Sequence, residues 1–364
     1  MTAPANLTTL RVRRFGVGLY TGQKDGGADY ADAAPLAVAA EEAGFDSFWV
    51  TEHHGLPDGY LPSPLVLAAA LSSVTSRIAL GTGVLLAPLH HPVRLAEDAA
   101  VVDRLSSGRL LLGLGIGYAE HEYRNFGVDP ATRGARLDAL VTALRDAWTG
   151  EPFDSPALGL SGVRVTPTPT GHLPVWIGGY APNAVRRAGL LADGHLVGKG
   201  ERHIVTAASE QLAQVRDPAD PGFTRAVNVA CVLDTGDGAG DAARRAFARQ
   251  QRVYERMQAG REVYAGLVPD PAGTDPAGTD PAGTGDGLAA GGIDRYIQAS
   301  GDPDQVTATL LGLLDDLAGW ANVHLVLRFL FPDPDLDAQL RRVRTFGEQV
   351  LPALRAHDTR EALA

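Results

Sequence analysis

The chain has 364 residues, 45% hydrophobic and 21% charged, with a formal charge of −11; that length is enough for one barrel-sized core or two smaller ones. The acidic balance argues against a nucleic-acid or anionic-membrane surface. Cys231, the single cysteine, excludes an intramolecular disulfide and a cysteine-based structural zinc site.

No apolar run approaches the roughly 18 residues of a membrane span, and the start, "MTAPANLTTLRVRR", lacks a signal-peptide core. A cytoplasmic protein is expected. Helical and strand-like stretches then alternate. "VRRFGVGL" reads as a strand and "ADAAPLAVAAEEAG" as a helix stopped by Gly44. "FDSFWV" is a second strand, and "SPLVLAAALSSVTS" a helix opened by Ser63 and Pro64. "RIALGTGVLL", "PVRLAEDAAVVDRLS", "RLLLGLGIG" and "RGARLDALVTALRDAW" continue as strand, helix, strand, helix. "LPVWIGG", "GHLVG", "TRAVNVACVLD" and "NVHLVLRFLF" supply further strands, with "APNAVRRAGLLAD", "DAARRAFARQQRVYERMQ" and "PDQVTATLLGLLDDLAG" as helices among them. About eight strand–helix units fit a (β/α)₈ barrel over the whole chain, 1–364, better than a doubly wound open sheet. In such a barrel the catalytic groups gather where strands end and loops begin.

The tract "DPAGTDPAGTDPAGTG", residues 270 to 285, breaks the alternation. Its proline and glycine content predicts a flexible low-complexity loop over 265–292. It is either a tolerant surface insertion or a lid after strand seven, with "YAGLV" and "IDRYI" as its closing flanks.

Three stretches carry candidate chemistry. In "WVTEHHG" neighbours along an extended chain face opposite ways, so His53 points to one side and Glu52 and His54 to the other. That is a poor chelate, and no third ligand stands at a metal spacing, so no metal site is expected. The histidines either hydrogen-bond neighbouring loops, or one of them serves as an acid–base group. "GLGIGY", from Gly113 to Tyr118, misses the dinucleotide spacing and has no helix pattern directly after it. Its glycines instead suggest close approach of a flat ligand. In "WIGGYAPNAVRRAG" a strand ends on Gly178 and Gly179, and a helix starts near Ala181 with Pro182 in its first turn. This is a phosphate-binding helix start or a plain tight turn.

Together "GFDSFWVTEHHG", "HPVRLAED", "SSGRLLLGLGIGY", "LPVWIGGYAPN" and the late "GDPDQVTATLLGLLDDLAG" resemble bacterial luciferase-like flavin monooxygenases. The resemblance runs from about Phe15 to the final helix and implies a (β/α)₈ barrel, usually dimeric, that binds reduced flavin at the strands' C-terminal ends. It makes His53 the acid–base group, with Glu52, His54 and Tyr118 facing substrate or supporting it. Gly179, Tyr180 and Asn183 fall where the family holds the flavin phosphate, and Gly178 with Gly179 would let that anion come close. An arginine reaching that phosphate corresponds most simply to Arg133, with Arg136 as the alternative. Gly115 stands near the flavin where luciferase has a cysteine. Gly83 and Val84 match an unusual non-proline cis peptide behind the ring. The implied activity is oxygenation of a small organic substrate by O₂ and reduced FMN supplied by a separate flavin reductase. The alternatives are F420-dependent hydride transfer on the same fold and flavin binding without turnover.

Overall fold

The computed structural model describes residues 12–19, 30–56, 58–236, 238–258, 293–331 and 335–361. The loop 265–292 and its repeat lie outside them. Eight strands form the barrel: β1 (Val12–Leu19), β2 (Ser47–Val50), β3 (Ala79–Thr82), β4 (Leu110–Gly115), β5 (Val175–Gly178), β6 (Gly194–Val197), β7 (Thr224–Leu233) and β8 (Asn322–Leu330). Each pairs in parallel with the next, and β8 pairs with β1 to close the ring. Closure buries both faces of the short strands, which is why β2 and β6 are buried at every residue.

The helices packed outside are α1 (Ala33–Glu42), α2 (Pro64–Ser72), α3 (Pro92–Leu105), α4 (Glu120–Phe126), α5 (Arg133–Ala147), α6 (Pro182–Leu191), α7 (Arg202–Ala213), α8 (Ala239–Gln258), α9 (Pro303–Asp316), α10 (Leu336–Thr345) and α11 (Leu351–Glu361). Local chemistry starts several of them. Asp302 and Gln305 form a reciprocal capping box ahead of α9, and Pro64, Pro92 and Pro182 open their helices where no N–H is needed. Two features depart from the sequence reading. A helix, α4, does follow "GLGIGY" closely, and an antiparallel hairpin, Phe153–Ser155 with Leu160–Val163, follows α5. The "IDRYI" flank is anchored: Ile293 is buried in a cluster with Phe247 and Phe331, and the Tyr296 hydroxyl donates to Glu255 at 2.9 Å.

Alternation along the strands sorts the barrel interior into layers. The lower interior is filled by Trp49, Trp176, Leu196, Ala226 and Val326, with His324 edge-on to both indoles. Two residues further toward the C-terminal ends, five strands carry glycine. Gly18 lies in β1, Gly83 just beyond β3, Gly115 ends β4, Gly178 ends β5 and Gly198 follows β6. A Cβ on Gly83 would rest on the Trp49 ring at 3.2 Å, while one on Gly198 would meet nothing within 4 Å. An apolar floor is thus left open at the C-terminal mouth.

Candidate active site

The strand β2 delivers "TEHHG" to this mouth, and the two sides of the chain do different work. Glu52 is buried and accepts hydrogen bonds from His54 Nε2 at 2.7 Å, His90 Nε2 at 2.9 Å and the Leu86 N–H at 2.6 Å. Burial alone would raise its pKa; the two imidazole hydrogen bonds, the His90 charge and the Leu86 N–H reverse that and hold it at about 2. A carboxylate accepts only, so both imidazoles present an Nε2–H to it. Glu52 and His54 therefore brace the loop after β3 against the end of β2.

His53 faces the other way. Its Nδ1 lies 2.9 Å from Glu122 Oε1, which also accepts the His54 N–H at 2.9 Å. Glu122 is fully buried, and its Oε2 has no hydrogen-bond partner among the described residues. The pairing fixes the proton on Nδ1 and leaves Nε2 without a protein partner among the described residues. Three phenol rings surround this imidazole: Tyr60 at 4.9 Å, and Tyr118 and Tyr254 at 5.7 Å. The Tyr60 and Tyr254 hydroxyls are 3.0 Å apart. Desolvation, then Tyr254 and Glu122, raise the Tyr118 pKa well above that of a free phenol. An oriented imidazole with one nitrogen unpartnered among the described residues, backed by a buried carboxylate, can pass a proton beside a Tyr118 phenol that stays neutral.

The glycines answer to Val84. The Gly83–Val84 peptide is cis, and a Cβ on either Gly115 or Gly178 would come within 2.5 Å of a Val84 methyl. The expected approach of an anion to Gly178, or of a flat ligand to Gly115, is thus taken up first by Val84. Gly179 differs: its φ of 140° suits glycine only. Its N–H donates to Leu196 O at 3.0 Å, and its carbonyl accepts from His195 Nε2 at 2.7 Å. Behind His195, Arg225 NH1 donates to Nδ1 at 2.8 Å. Both are fully buried, and Arg225 has no acid partner among the described residues. Burial first, and the Arg225 charge second, push the His195 pKa down to about 3. A neutral imidazole and a buried cation thus fix the turn that opens α6 from outside the barrel.

Helix α6 starts at Pro182 without a side-chain cap. Pro182 has no N–H, and the Ala184 and Val185 N–H groups donate to Ala181 O, so in this turn it is the Asn183 N–H that is left for an anion. Asn183 stands in that turn. Tyr180 is 44% exposed and carries Lys199 Nζ 5.0 Å over its ring. The Arg187–Asp138 ion pair joins α6 to α5 beside Gly134 and Arg133. Of the two arginine candidates, Arg136 is already committed, donating to Pro88 O at 2.8 Å and His90 O at 3.4 Å. Arg133 makes no hydrogen bond or ion pair among the described residues. An uncapped helix start with a free guanidinium and an ammonium nearby suits a phosphate group. Among the described residues no three ligating side chains gather for a metal, and no helix is long and apolar enough to cross a membrane.

Sequence reasoning missed Glu122, Tyr60, Tyr254, Lys199 and the His195–Arg225 pair. For Glu122 the available signal was a carboxylate directly after a glycine-rich strand end.

Residues 9–318 match the family described as luciferase-like monooxygenase. An F420-dependent glucose-6-phosphate dehydrogenase of Nakamurella multipartita is 30% identical over 337 residues, covering 90% of this chain and 93% of the relative. The oxygenase component of a flavin-dependent trigonelline monooxygenase of Acinetobacter baylyi is 30% identical over 161 residues, 43% of this chain and 44% of the relative. The solved monooxygenase RslO1 of Streptomyces bottropensis superposes with a TM-score of 0.73 at 23% identity, over 94% of this chain and 99% of that one. Barrel, mouth and family match agree, and the chain belongs to the luciferase-like monooxygenase family.

Proposed function

We propose that the chain is a monooxygenase that uses reduced FMN and O₂ to oxygenate a small organic substrate. The observation that carries this reading is the His53–Glu122 pair beside a glycine-cleared floor, with an uncapped helix start across the mouth. Reduced FMN, when bound, would supply the electrons and the reaction with O₂. The Asn183 N–H at the start of α6, with Arg133 and Lys199, would bind its phosphate. Gly83, Val84 and Gly115 would border its ring, and Tyr180 would lie with Lys199 at its phosphate. Glu122 orients His53, whose Nε2 holds or moves the proton during oxygen transfer. Tyr60, Tyr118 and Tyr254 exclude water from that nitrogen.

The trigonelline relative is one component of its monooxygenase, the oxygenase, and this supports a separate flavin reductase as partner here. A cytoplasmic homodimer goes with the same reading: α2 and α3 pack together and expose Val66, Val101 and Leu105. One observation favours a second reading, hydride transfer with F420, because the F420-dependent relative aligns over nearly the full chain. Anaerobic titration with reduced FMN and reduced F420, followed by O₂, separates the two. Tight FMN binding and oxygen uptake are expected. Preferred binding of F420, with turnover in the absence of O₂, would replace the monooxygenase by the dehydrogenase.

A further inference from the structure

The upper layer of the barrel is cleared of side chains on five strands, yet β8 places an arginine there. Along β8, His324 and Val326 belong to the filled lower interior, and Arg328 stands two residues further on the same face. The contacts confirm the direction: a Cβ on Gly18 would meet Arg328 Cγ at 2.8 Å and Val326 Cγ1 at 3.4 Å. Gly18 therefore makes room for the arginine stem, which places Arg328 in the upper layer of the mouth. Its charge acts on the Tyr118 phenol, favouring the ionised form, and the Tyr118 ring lies 5.7 Å from that of His53.

Arg328 makes no hydrogen bond, ion pair or ring contact among the described residues. The carboxylates of the mouth bond to other groups, Glu122 through Oε1 to His53 and the His54 N–H and Glu52 to His54 and His90, and neither pairs with Arg328 among the described residues. A half-buried guanidinium in a concave mouth, in a chain whose formal charge is −11, is costly unless an anion arrives to pair with it. Its planar fork suits a carboxylate-type group. Arg133 opens α5 and Lys199 lies over Tyr180, and both are assigned to the cofactor phosphate.

We infer that Arg328 is the specificity-determining residue for substrate, and that the substrate is a small acid whose anionic oxygens pair with its guanidinium. The reacting carbon is then held beside His53 while the acid group lies toward β8. This inference rests on the barrel mouth being the substrate site, which the FMN and F420 titration tests separately. Its own test needs no cofactor: calorimetric titration of the purified protein with the matched pairs benzoate and benzamide, and hexanoate and hexanamide. At least one acid should bind roughly 10- to 100-fold more tightly than its amide. Arg328→Met, which keeps the stem against Gly18, should erase that preference with little change in melting temperature. Arg328→Lys should restore part of it, and His53→Ala should leave it intact. No acid preference in the wild-type protein, or a preference that survives in Arg328→Met, overturns the inference. So does an Arg328→Met variant whose only defect is weaker binding of reduced FMN, which would assign the arginine to the cofactor.

Discussion

The lower and upper halves of the barrel interior lie two residues apart along the strands and are filled differently. Below, Trp49 and Trp176 lie with ring centroids 5.1 Å apart, and Trp49 Nε1 donates to Ser47 Oγ at 2.6 Å, which also contacts His324 Nε2 at 2.7 Å. Above, Gly178 and Gly198 follow Trp176 and Leu196 at the ends of β5 and β6, and Gly18, Gly83 and Gly115 stand on β1, just beyond β3 and on β4. The mouth around them carries His53, three tyrosines and Arg328. Stability is concentrated in the filled half and chemistry in the cleared half. Substitutions in the two halves should therefore fail in different measurements.

The largest contrast is between His53 and Trp49. His53→Ala should fold and bind flavin, yet lose roughly 10²–10⁴-fold in turnover; His54→Ala should lose much less, because His54 supports Glu52. Equal losses would make "EHH" one structural cluster. Trp49→Ala should cost about 3–5 kcal/mol of unfolding free energy, read from denaturant midpoints. A loss under about 1 kcal/mol would mean that the lower half is not the stabilising one.

Smaller effects refine the mouth. Arg133→Ala should weaken reduced FMN by about 1.5–3 kcal/mol and leave riboflavin unchanged. Equal losses for both ligands would remove Arg133 from the phosphate. The smallest effect is on pH dependence. His195 and His324 are both held near 3 by burial, helped by Arg225 and Arg14 respectively. An unfolded histidine takes up a proton below about 6.5. Between about 6.5 and 3 the unfolded chain thus binds more protons, and stability falls as the pH is lowered through that window. The loss should be on the order of 1–2 kcal/mol per histidine at about pH 5, and His195→Gln should remove one share. A variant with the wild-type acid profile would show that His195 is not buried neutral.

Much of this was legible in the sequence because it is written locally. Alternation of strand and helix gave the barrel, and opposite-facing neighbours separated His53 from Glu52 and His54. Glu122 was hidden because α4, at seven residues, is too short to show helical periodicity. Arg328 sits in the apolar run "NVHLVLRFLF", where only the register against β1 tells which side chains point inward. The smallness of Gly115 and Gly178 answers to Val84, a neighbour in space from another loop. His195 and Arg225 lie on adjacent strands, β6 and β7, directly paired in register, and nothing within either strand announces the contact.

The central claim is that the cleared upper layer, between His53 and the start of α6, receives the flavin. A crystal structure of the protein with FMN tests it most directly. The account predicts the ring over Gly83–Val84 with His53 Nε2 at its edge, and the phosphate at the Asn183 N–H, in reach of Arg133. FMN bound elsewhere, or a phosphate pointing away from α6, would contradict it.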